Sequence, residues 1–90
     1  MDDERLQKLR DLLNSQHDWP SIYIFKFVLP SDAQKITQLR KIFGESAEFR
    51  TRLSRQGNYT SITVREMMLD ADSIFDRYTR VSSIGGVISL

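Results

Sequence analysis

Four arginines, Arg50, Arg52, Arg55 and Arg65, lie in a stretch with no Asp or Glu between the first and the last of them. Guanidinium groups grip carboxylate or phosphate through paired N–H donors, so this run suggests anion binding. Tyr59 falls inside the run, where its ring could stack on a base or a ligand ring. It could equally close a hairpin against Phe49 or Lys26. The plain alternative for the arginines is a solvated strand face whose charge blocks aggregation. Other candidates carry less. His17 is the sole histidine, and in a chain without cysteine it cannot assemble a typical zinc site. Asp70 and Asp72 imitate a carboxylate pair, yet a helix start is where acids stabilise the dipole anyway. Gly85-Gly86 lacks the following Lys-Ser or Lys-Thr of a phosphate loop and the spacing of a dinucleotide fingerprint, and is read as a bend. Ser82 and Ser83 have no identifiable base. No catalytic device, metal set or cofactor loop is visible, so neither enzymatic activity nor a cofactor is expected.

Length and composition bound what can position these residues. A chain of 90 residues suits one domain with one small core. With 40% hydrophobic and 28% charged residues, it has the composition of an ordinary globular protein. The net charge of +1 gives no global bias toward nucleic acid or membranes, so any electrostatic partner must be recruited by a local patch. The apolar run from Ile22 to Leu29 is far short of the roughly 20 residues that cross a bilayer. The acidic opening Met1-Asp2-Asp3-Glu4 differs from the basic start of a signal peptide, and cysteine is absent. A cytoplasmic protein without membrane contact is the expectation.

Periodicity supplies the elements. Leu6, Leu9, Leu12 and Leu13 recur at helical spacing over residues 2–14, with Asp2, Asp3 and Glu4 at the favourable end of the dipole. Residues 21–29 alternate, with Tyr23, Phe25 and Phe27 on one face and Ile24, Lys26 and Val28 on the other. Pro30 stops this strand. Ser31-Asp32-Ala33-Gln34 has the Ser-x-x-Gln form of a capping box, opening a helix that turns Ala33, Ile36, Leu39 and Phe43 inward. Gly44 is read as its left-handed cap. From about Ala47 to Ser54, Phe49, Thr51 and Leu53 alternate with Arg50, Arg52 and Ser54. After a turn at Gln56-Gly57-Asn58, Ile62 and Val64 alternate with Tyr59, Ser61, Thr63 and Arg65. Met67, Met68 and Leu69 lead to an acidic helix start at Asp70, followed by Ile74, Phe75, Tyr78 and Val81. On that helix Asp76 and Arg80 form an i,i+4 pair. Ile84 to Leu90 suits a closing strand.

After the leading helix the order is strand, helix, strand, strand, helix, strand: a ferredoxin-like α+β sandwich with a four-stranded antiparallel sheet. Right-handed crossovers put both helices on one face, over a core of Phe25, Ile36, Leu39, Ile62, Val64, Ile74 and Tyr78. The opposite face then displays Lys26, Arg50, Arg52, Tyr59, Ser61, Thr63 and Arg65. That polar and basic surface is the candidate anion site.

Three segments carry a resemblance. Trp19-Pro20 followed by Tyr23-x-Phe25-Lys26, the hairpin Ser54-x-x-Gly57-x-Tyr59-x-Ser61-Ile62-Thr63, and the run from Tyr78 through Val87 to Leu90 resemble the YbeD-like family of small bacterial domains, whose function is unassigned. The match covers residues 19–90, leaving 1–18 as an additional helix and connection. The resemblance implies a ferredoxin-like domain similar to ACT regulatory modules, with no catalytic residues to carry over.

The expected function is therefore a non-enzymatic regulatory or interaction module. It would bind a small anionic ligand at Lys26, Arg50, Arg52, Tyr59 and Arg65, or a partner or second copy through Ile24, Val28 and the terminal strand Val87 to Leu90. Nucleic acid on the basic face is the alternative. Arg55 to Ile62 departs from the RNA-recognition strand signature, because Ser61 and Thr63 stand where aromatic stacking residues are needed.

Overall fold

The computed structural model describes residues 3–90. Met1 and Asp2, the second of which was assigned above to the first turn of a helix, lie outside the described residues. The elements are α1 (Asp3–Gln16), β1 (Ser21–Pro30), α2 (Ala33–Ile42), β2 (Glu48–Leu53), β3 (Tyr59–Met68), α3 (Ala71–Ser82) and β4 (Ile88–Ser89). From β1 onward this is the ferredoxin-like βαββαβ sandwich, with one antiparallel sheet ordered β2-β3-β1-β4. Among the described residues no helix is long and apolar enough to cross a membrane.

Alternation decides what is buried. On β1, Phe25, Phe27 and Leu29 point inward; on β3, Ile62 and Val64 do so. Leu39 and Phe43 from the α2 segment and Ile74 and Val81 from α3 cover the same face and close the core. The Phe25 ring lies 4.7 Å from Tyr23, 5.1 Å from Phe43 and 5.3 Å from Tyr78. Tyr78 is half-buried, and its hydroxyl sits 3.2 Å from that of Tyr23. Burial, reinforced by that hydrogen bond, pushes the Tyr78 hydroxyl well above the usual phenol range, so it stays protonated in the folded protein.

Several local expectations are corrected. Helix α2 is capped by Asp32, whose carboxylate accepts from the Gln34 and Lys35 N–H groups at 2.9 and 3.3 Å. Ser31 instead spends its hydroxyl on Thr60, 2.9 Å away, which pins the end of β1 to β3. A carboxylate meets the positive end of the helix better than a hydroxyl does. Ala33 is the first helical residue and is exposed. Gly44 is not a left-handed cap: positive φ occurs only at Gly57, Gly85 and Gly86 among the described residues. The two last glycines form the bend read from the sequence, and they shorten the closing strand to Ile88–Ser89.

Helix α1 runs two residues past the expected end, to Gln16, but buries little. Leu13 packs against the core, whereas Leu9 and Leu12 are exposed. The helix is tied to α3 by Arg10, whose guanidinium lies 2.9 Å from Asp72. Exposed pairs of this kind contribute about 0–1 kcal/mol, so α1 is held mainly through Leu13 and the connection at Trp19. Asp70 caps α3 and accepts from the Ser73 hydroxyl and backbone N–H, both at 2.7 Å; these bonds hold its carboxyl below the usual carboxylate range. Asp76 and Arg80 pair at 3.1 Å, as their spacing implied.

Candidate functional site

The sheet face away from the helices carries the candidate residues. β2 and β3 pair with Arg50 opposite Thr63 and Arg52 opposite Ser61, while β1 and β3 pair with Lys26 opposite Thr63. Because side chains opposite one another across antiparallel strands share a face, Lys26, Thr63 and Arg50 form one row. Val28, Ser61 and Arg52 form the next. Strands stand about 4.8 Å apart and same-face neighbours along a strand are about 7 Å apart, so the three cations bound a small area. They surround a depression of about 500 Å³ that also takes in the Ser61 and Thr63 hydroxyls and Leu90.

The charge balance of this area is decided by its neighbours. Arg65 faces the same way but lies 3.7 Å from Glu48, directly opposite it across the strands. The acid-free stretch begins just after Glu48, and the register brings that carboxylate back against the last arginine of the run. Arg65 is thereby set apart from the cluster. Lys26, Arg50, Arg52 and Arg55 make no ion pair among the described residues. Arg55 sits in the hairpin turn rather than on a strand.

Tyr59 lies on the open face opposite Pro30 and is 52% exposed. Phe49 points to the other face, where its ring meets Phe43 at 6.1 Å and the Arg40 guanidinium stands 4.6 Å above it. The hairpin is therefore not closed by a Tyr59–Phe49 pair. It is closed by Ser54 and Tyr59: the Ser54 N–H donates to the Tyr59 carbonyl at 2.8 Å, and the Tyr59 N–H donates to the Ser54 hydroxyl at 3.1 Å. Gly57, with φ of 76°, supplies the left-handed residue this turn requires.

The open face is less uniformly polar than its basic residues imply. Ile22, Ile24, Met67 and Ile88 are exposed on it. These apolar side chains occupy one end and the β4 edge, whereas the unpaired cations occupy the middle and the hairpin end.

One ionic group inside the fold escaped the sequence reading. Glu66 is 5% exposed on the inward face of β3. Its Oε1 accepts from Arg77 Nε at 3.2 Å and Nη2 at 3.1 Å, and its Oε2 accepts from the Gly44 N–H at 2.6 Å. A Cβ on Gly44 would sit 2.7 Å from that Oε2, so glycine is needed there for close approach. The signal was present: Ile62, Val64, Glu66 and Met68 continue one alternation, which assigns the glutamate to the buried face. Its partner could not be found the same way. His17 stacks on Trp19 at 5.2 Å and meets the Ser21 hydroxyl at 3.1 Å, at the connection into β1 and away from the cations.

No family model matches the chain, and no curated protein matches it. Among solved structures, it is similar to uncharacterized protein TM1266 from Thermotoga maritima, with a TM-score of 0.63 and 20% identity over 77% of this chain and 90% of that one. At that identity the likeness shows the fold alone.

Proposed function

We propose that this chain is a non-enzymatic regulatory or interaction module of the YbeD-like, ACT-like kind, which holds a small anionic ligand on the open face of its sheet. The observation that carries this reading is the convergence of Lys26, Arg50 and Arg52 on one depression without a carboxylate partner among the described residues. Like charges held at strand spacing repel, and an anion bridging them relieves that repulsion while accepting several N–H bonds. The Thr63 hydroxyl stands beside them as a further donor, while that of Ser61 already donates to the Arg52 carbonyl at 3.4 Å. The described lining includes no carboxylate, imidazole or thiol side chain, which favours binding over acid–base or nucleophilic chemistry by side chains there.

Calorimetric titration of the whole chain with inorganic phosphate and with citrate tests this. At least one should bind, and the Arg50→Ala, Arg52→Ala double variant should weaken that binding by about tenfold or more, since charge-assisted bonds contribute roughly 1.5–3 kcal/mol each. Equal affinity in the double variant would sink the proposal.

The interaction half rests on the sheet edge. β4 pairs only with Phe27 and Val28, so among the described residues no strand lies beside the outer edge of β1 from Ser21 to Phe25. A second copy laid antiparallel about Tyr23 would place Ile22 of one chain beside Ile24 of the other. Light scattering at high protein concentration should then give a dimer mass, and Ile24→Lys should return a monomer. A monomer mass for the unaltered chain would remove this edge as an interface.

A further inference from the structure

A second depression, of about 580 Å³, adjoins the first and shares Arg52 and Ser61 with it. Its remaining chemistry is different: the half-exposed ring of Tyr59, the apolar side chain of Val28, and Arg55 from the hairpin turn. The Tyr59 side chain makes no hydrogen bond and no ring contact among the described residues, so its π-face is available. A planar ring laid there would stack on Tyr59, and Arg55 could close over it by cation–π contact.

The two depressions are also correctly spaced for one ligand. Tyr59, Ser61 and Thr63 are successive same-face positions on β3, with about 7 Å between neighbours. An anion held between Arg50 and Arg52 lies between Ser61 and Thr63 along that line, so a pentose-sized spacer connects it to a ring at Tyr59. We propose that they form one bipartite site for a planar ring joined to a phosphate, with Arg52 at the joint. The source is either a free nucleoside monophosphate or the 5′-terminal nucleotide of an RNA strand. This assignment rests on the anion reading above and adds to it the ring.

Titration of the whole chain with AMP, ribose 5-phosphate and inorganic phosphate separates the two claims. AMP should bind about tenfold tighter than ribose 5-phosphate, the gain expected of one base stacked on one aromatic side chain. Tyr59→Ala should bring AMP down to the level of ribose 5-phosphate, and Tyr59→Phe should keep the preference. If AMP and ribose 5-phosphate bind equally, or if the preference survives Tyr59→Ala, the ring site is wrong while the anion site stands. If none of the phosphate probes binds, the ring–phosphate site is wrong, and if citrate fails to bind as well, the anion site is wrong with it. A short 5′-phosphorylated oligoadenylate identifies the source: affinity well above that of AMP assigns RNA, and affinity at or below it assigns the free nucleotide.

Discussion

Replacing Arg77 by alanine is expected to destabilise the domain by about 3 kcal/mol, because it strips a buried carboxylate of its charged partner. Glu66 would keep only the Gly44 N–H as donor, and an uncompensated charge in the interior is among the most costly defects a small domain can carry. The wild-type pair is not thereby a large net gain, since burying both ions is itself expensive. Its consequence is that the two positions must be changed together. Glu66→Leu with Arg77→Met should recover most of the stability lost in Arg77→Ala, as apolar replacements of buried pairs often do. Urea unfolding midpoints, with unchanged slope, measure this directly. An Arg77→Ala loss below about 1 kcal/mol would mean that water, rather than Arg77, satisfies Glu66.

Phe25→Ala should cost about 3–5 kcal/mol, the range for truncating a fully buried phenylalanine. The ring is wholly inaccessible and is faced by Tyr23 on its own strand and by Phe43 and Tyr78, which come from segments remote in sequence. Groups held on β1, on α3 and at the end of α2 cannot all relax into the space, so a cavity persists. Leu53→Ala provides the contrast. Leu53 belongs to the inward set of β2 by alternation, yet it is 66% exposed beyond the reach of the helices, and its loss should stay within about 0.5 kcal/mol. Similar losses for the two variants, read by the same unfolding experiment, would refute this assignment of the core.

Much of the fold was legible because side-chain period and turn chemistry are local properties. The hairpin was visible in the alternation from Phe49 to Val64 and in Gly57, and α3 was visible in Asp70 and the spacing of Ile74, Tyr78 and Val81. The errors arose where one local signal competed with another. Ser31 had the form of the cap for α2, but Thr60, brought over by the β1–β3 pairing, drew its hydroxyl away and Asp32 caps the helix instead. Gly44 fitted a helix end, but its use depends on a carboxylate that is 22 residues later in the chain. Thr51 and Leu53 lay on the correct face, yet alternation states only the direction of a side chain, not whether a helix covers it.

The same division holds for the candidate site. That Lys26, Arg50, Arg52, Tyr59 and Arg65 share one face followed from the sequence by itself, because successive residues of a strand must point to opposite sides of the sheet. Which of them retain an uncompensated charge was decided only by the tertiary structure. Glu48 lies outside the arginine run, but antiparallel register sets it opposite Arg65 and sets no acid opposite Arg50 or Arg52. The physical reason is that orientation is a property of the covalent backbone, whereas electrostatic compensation acts through space and depends on what folding brings within a few ångströms.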